Sequence, residues 1–148
     1  MKNMTNKEYQ KYAEKKVPKP TYLKNIIMAF IVGGTICTIG QIIRNILFRS
    51  GLDEKAVSTG TAIILVFLGA LLTGLGVYDK IGKIGGAGAA IPITGFSNAI
   101  VSPAMEYRTE GLIFGVASKM FVIAGPVLVY GITTSVVMGI LYLLIKGR

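Results

Sequence analysis

Histidine and tryptophan are absent from this chain, and cysteine occurs once, at Cys37. One thiol without histidine makes a His/Cys zinc site within the chain nearly impossible, and a lone cysteine forms no internal disulfide. No nucleophile–base pair, paired catalytic carboxylates or metal cluster stands out, so neither an enzyme nor a bound metal or cofactor is expected. Charge is scarce as well. Only 16% of the 148 residues are charged, with 7 acidic against 16 basic, while 52% are apolar. A soluble domain of this size needs a polar shell that these charges cannot supply. In lipid the same composition is what stability requires.

The charges that exist punctuate long apolar runs. Three runs carry no charge: Asn25 to Ile43, Ala56 to Tyr78 and Ile84 to Met105. A fourth stretch, Gly111 to Ile145, carries only Lys119. A membrane-crossing helix needs about 20 apolar residues. The chain therefore reads as an all-α integral membrane protein with about four transmembrane helices. Spans are expected near 23–48, 56–78, 84–105 and 111–145, the last interrupted at 125–126 by Gly125-Pro126. Residues 1–22 form a basic cytoplasmic segment with a short helix, and 23–148 the membrane domain.

The lead-in is too polar, and lacks the cleavage motif, to be a signal peptide. A lipoprotein attachment at Cys37 is disfavoured by Ile36, so Cys37 is expected as a small buried side chain in a span. Thr5 and Glu8 match a capping box, which starts a helix near Asn6; Pro18 and Pro20 stop it near Val17. The net charge of +9 could suggest nucleic acid. Its placement does not: Lys2, Lys7, Lys11, Lys15, Lys16, Lys19 and Lys24 all precede the first span. That is the positive-inside pattern, with the N-terminus in the cytoplasm and drawn to anionic lipid.

Within the spans, polar and small residues mark candidate contact faces. Gly33, Cys37 and Gln41 form one i, i+4 row on the first span, facing protein or a water-filled path. Ala70 and Gly74 form a small-x-x-x-small pair on the second. Tyr78, Asp79, Lys80 and Lys83 mark the return to the cytoplasmic interface.

The third run is unusual. Gly85, Gly86, Gly88, Pro92 and Gly95 make a poor continuous helix, so a broken or re-entrant segment is expected, covered by protein or lining a cavity. Beyond it, Thr94, Asn98 and Ser102 recur at i, i+4 and i+8. This polar stripe could line a transport path or tie helices together. Gly86-Ala87-Gly88 begins a nucleotide-loop pattern, but Ile91 replaces its last glycine and no strand precedes it. In the fourth stretch Lys119 is a functional candidate, with snorkelling to the interface as its alternative.

The string from Gly86 to Asn98, Gly-Ala-Gly-Ala-Ala-Ile-Pro-Ile-Thr-Gly-Phe-Ser-Asn, resembles the signature of the stage V sporulation protein AC/AEb family. Phe30 to Gln41, Ser102 to Gly111, Met120-Phe121 and Ala124 to Val127 resemble it too, in order. The basic N-terminal extension and Glu106 to Gly111 favour its AC branch. The resemblance implies a complex in the inner spore membrane of endospore-forming bacteria, with the N-terminus towards the core. That complex moves dipicolinic acid, with its calcium, into the forming spore and releases it at germination. Its expected partners are other stage V sporulation A-operon products, AD and AEb, in an oligomeric assembly with membrane lipids and without nucleic acid. Transport-path candidates are then Thr94, Asn98, Ser102, Lys119 and Gln41. A non-conducting scaffold of the same complex is the alternative.

Overall fold

A computed structural model describes residues 5–16 and 21–146. The expected helix stop at Val17, Pro18 and Pro20, together with Lys2, Lys19 and Arg148, lies outside those residues. Helix α1 runs Asn6–Lys16 and buries none of its side chains. Its start is half of a capping box. The Glu8 carboxylate accepts from the Thr5 backbone N–H and from the Thr5 hydroxyl, each at 3.0 Å. The hydroxyl donates to the carboxylate instead of accepting from the helix backbone.

The described residues are helical almost throughout and contain no strand. Three helices are long and apolar enough to cross a membrane: α2 (Tyr22–Arg49), α3 (Glu54–Gly74) and the stretch Leu112–Lys146. Most of their large apolar side chains point outward, including Phe30, Phe67 and Tyr130. Such exposure suits a hydrocarbon solvent, where apolar surface carries no penalty. Helices α2 and α3 form an antiparallel hairpin closed by Gly51, whose φ of +82° is the left-handed value a helix C-terminus uses. Arg44 and Glu54 meet across that turn at 3.4 Å, an exposed pair that contributes little.

Helix α3 stops four residues before the expected boundary at Tyr78. Gly76, at φ +67°, places its own N–H on the Thr73 carbonyl and the Val77 N–H on the Leu72 carbonyl. This double bond satisfies the last carbonyls of the helix, so the chain turns away before the apolar run ends.

The third region is broken, as its glycines and proline imply. It forms α4 (Tyr78–Gly85), a single turn α5 (Ala87–Ala90) and α6 (Ile93–Glu106). Gly86 makes the first corner at φ +49° and ψ −123°, backbone angles that a side chain would oppose. Pro92 makes the second from the N-cap of α6, where its missing N–H removes no helical bond and its carbonyl accepts from Gly95 and Phe96. At 14 residues, α6 is roughly 21 Å long, too short to cross about 30 Å of hydrocarbon alone.

A short 3₁₀ turn at Arg108–Glu110 and a π-helical turn at Leu112–Ala117 then lead into α7 (Ser118–Lys146). The expected interruption at Gly125-Pro126 does not occur. Pro126 sits inside a continuous helix, which loses one rung at the Val122 carbonyl. In lipid, dissolving the remaining rungs would cost more than leaving that one unmade.

Candidate functional site

The broken segment is wedged between α2 and α3, and glycines permit the approach. A methyl at Gly88 would collide with the Ala29 carbonyl of α2. One at Gly95 would collide with the carbonyls of Ala89 and Ala90, and one at Gly69 would stand 2.7 Å from the Thr94 carbonyl oxygen. Backbone therefore meets backbone at these three points. The α3 contact is Gly69 and Thr73, both buried, and not the expected Ala70 and Gly74; nothing lies near Gly74. The crossing of α6 selects one face of α3, and spacing alone does not single it out from the neighbouring row.

Hydroxyls close what the break opens. Tyr78, only 3% exposed, points its hydroxyl between Ala89 O and Thr94 Oγ1, each at 2.8 Å. A phenol has one proton, so Tyr78 donates to the Ala89 carbonyl and Thr94 donates to Tyr78. Ser97 donates to the Val66 carbonyl on α3 at 2.8 Å. Thr73 Oγ1 lies 2.7 Å from the Gly69 carbonyl and 2.8 Å from the Asn98 side-chain amide. Both neighbours present oxygens, Gly69 O and Asn98 Oδ1, so the single Thr73 hydroxyl proton is shared between these two acceptors. Four helices are thus held at one buried polar cluster.

The expected path residues divide. Thr94 and Asn98 belong to this cluster. Ser102 follows on the same stripe of α6, half-buried and without a hydrogen bond among the described residues. Gln41 stands apart, exposed on α2 and donating to Asn45 at 2.9 Å. Cys37, expected to be buried, is exposed on the same helix. Where the row turns inward it does so at Gly33, which meets Gly88. Thr38 bonds the Gly34 carbonyl of its own helix, as Thr35 does that of Ile31, so neither needs an external partner. Lys119 is half-buried with its ammonium 4.3 Å from the centre of the Tyr107 ring, a cation–π contact; among the described residues it pairs with neither Glu106 nor Glu110.

Tyr78 is the residue that sequence reasoning misassigned. An aromatic beside Asp79 and Lys80 reads as an interfacial anchor, yet its ring turns into the bundle while those two neighbours stay exposed. Thr73 offered a fainter signal, a hydroxyl directly after the apolar stretch Ala62 to Leu72. Beside the cluster lies a cavity of about 300 Å³, walled mainly by Val32, Ile36, Leu65, Leu68 and Ile81, with Tyr78 and Thr94 on its border. That lining is apolar and offers nothing to neutralise a charged solute.

Fold and site together define a polytopic helical membrane protein organised around a broken central segment. The model of the SpoVAC/SpoVAEB sporulation membrane protein family matches residues 25–141. Stage V sporulation protein AC of Bacillus subtilis (strain 168) is 44% identical over 141 residues, which cover 93% of this chain and 94% of that protein. No solved structure matches. The chain belongs to the SpoVAC/SpoVAEB family of sporulation membrane proteins.

Proposed function

We propose that this chain is a transport subunit of the assembly that carries dipicolinic acid, with calcium, into the developing spore and out again at germination. Its seat is the inner spore membrane, with the basic N-terminal segment towards the core and the AD and AEb products as partners. The observation that carries this reading is the broken α4–α6 segment packed against the membrane-length helices α2 and α3. Non-helical backbone in a membrane is tolerated only where protein or water satisfies it, and membrane carriers and channels use such breaks to present polar groups to a solute. Dipicolinate is a small dianion that needs donors and positive potential to cross hydrocarbon. The apolar cavity within one chain does not offer them. The path therefore runs between subunits, past the half-buried side chains of Asn98 and Ser102 on α6, with Lys119 contributing charge.

A scaffold reading has its own support, since Thr94 and Asn98 already spend hydrogen bonds on Tyr78 and Thr73. Reconstitution in liposomes, alone and with partner subunits, separates the two. For the transport subunit, Asn98→Leu assembles with its partners yet passes dipicolinate at least about tenfold more slowly. Weakened assembly of that variant supports the scaffold. Normal assembly with normal flux removes Asn98 from both.

A further inference from the structure

A second feature lies at the opposite end of α2 from its turn with α3. Two adjoining cavities, of about 350 and 410 Å³, open between the first turns of α2 and the junction of α4 with α5. They share Asn25, Lys83 and Ile84. One adds Lys24, the other the backbone at Gly86 and Ala87. Two lysines from separate elements thus converge on one groove. No carboxylate lines it, and neither lysine is ion-paired among the described residues. The groove exists because Gly86 turns the chain sharply there, and because Gly88 then lets α5 lie directly on α2.

We infer that this groove holds an anionic phospholipid of the leaflet in which α2 begins. Two chemistries meet in it in the order such a lipid presents them. Lys24 stands at the start of the first span, where headgroups lie. Ala29 follows it by five residues, roughly 7.5 Å deeper along the helix. Ile26, Ala29, Ile84 and Ala87 give that depth an apolar wall suited to the upper part of an acyl chain. The phosphodiester sits between the Lys24 and Lys83 ammonium groups, and the Asn25 amide is placed to donate to its oxygens. A zwitterionic lipid brings its own cation against two lysines. An anionic one leaves both lysines compensated, as basic pockets between spanning helices do for acidic headgroups. The site differs from general attraction of the basic α1 segment to the membrane surface, because it requires two particular lysines and a shaped wall behind them.

The test uses the full chain in nanodiscs of phosphatidylcholine with increasing phosphatidylglycerol or cardiolipin, read by native mass spectrometry of retained lipid. Wild type should retain the anionic lipid in preference to phosphatidylcholine. Lys24→Gln with Lys83→Gln should weaken retention by about 10- to 30-fold. Lys24→Arg with Lys83→Arg should restore it. Lys7→Gln with Lys11→Gln removes the same net charge from α1 and should change retention less than about threefold. The proposal is overturned if the α1 variant loses as much lipid as the groove variant, which would mean diffuse surface attraction. It is equally overturned if phosphatidylcholine is retained as well, or if inorganic phosphate at millimolar concentration displaces the lipid, which would mean a free-anion site.

Discussion

Replacing Tyr78 with Phe removes one oxygen and leaves the ring in place. The structure gives that oxygen two partners, Ala89 O and the Thr94 hydroxyl, both at 2.8 Å. Tyr78, Ala89 and Thr94 are 3%, 1% and 6% exposed, so water cannot replace what is lost. A hydrogen bond between helices in a membrane contributes about 0.6 kcal/mol on average and up to about 1.7. Two such bonds, with the Ala89 carbonyl left unpaired, give a cost of about 1–3 kcal/mol, or roughly 5- to 150-fold in a local opening equilibrium. Hydrogen exchange over residues 85–98 in nanodiscs measures this directly. The Ile91 and Gly95 amides, bonded to the Ala87 and Pro92 carbonyls, are the reporters. Tyr78→Phe should accelerate their exchange by the factor above. Thr94→Val keeps the Tyr78 bond to Ala89 and should accelerate it only about 3- to 20-fold. Protection within about twofold of wild type in Tyr78→Phe would refute the claim that this hydroxyl closes the break.

Gly88→Ala should lower resistance to SDS unfolding by about 1–3 kcal/mol, because the Ala29 carbonyl opposite is backbone and cannot swing aside. Gly131→Ala, with nothing within 4 Å, should be neutral or slightly stabilising in the same assay. Lys119→Met should reduce dipicolinate flux through the reconstituted assembly while insertion and protein level hold; unchanged flux would leave Lys119 as a rim cation stacked on Tyr107. For Glu8, the backbone N–H and then the hydroxyl of Thr5 hold its carboxyl below the ordinary glutamate value of 4.5. A depressed folded value means that the start of α1 is supported above pH 4.5 and loses that support as pH falls through the lower folded value. An NMR titration of Glu8 with a midpoint at or above 4.5 would contradict this.

What the sequence by itself determined is the solvent and the secondary structure. Charge-free runs of helical length, lysines gathered before the first of them, and glycine with proline inside the third require lipid, helices and a break. Each of these follows from local chemistry: hydrocarbon demands that every backbone group be bonded within its own segment, and Gly86 and Pro92 mark where that demand fails. The family signature was legible for the same reason, since it lies in contiguous stretches. Only the tertiary structure decided which groups repair the break. Tyr78 is separated from Thr94 by 16 positions and Thr73 from Asn98 by 25, and no periodicity links either pair. The choice of Gly69 over Gly74, the outward turn of Cys37 and Gln41, and the unbroken passage through Pro126 were decided in the same way. In lipid, apolar surface no longer sorts inside from outside. The faces of these helices are assigned by where backbones can touch and hydroxyls can pair, and those are properties of the assembled bundle.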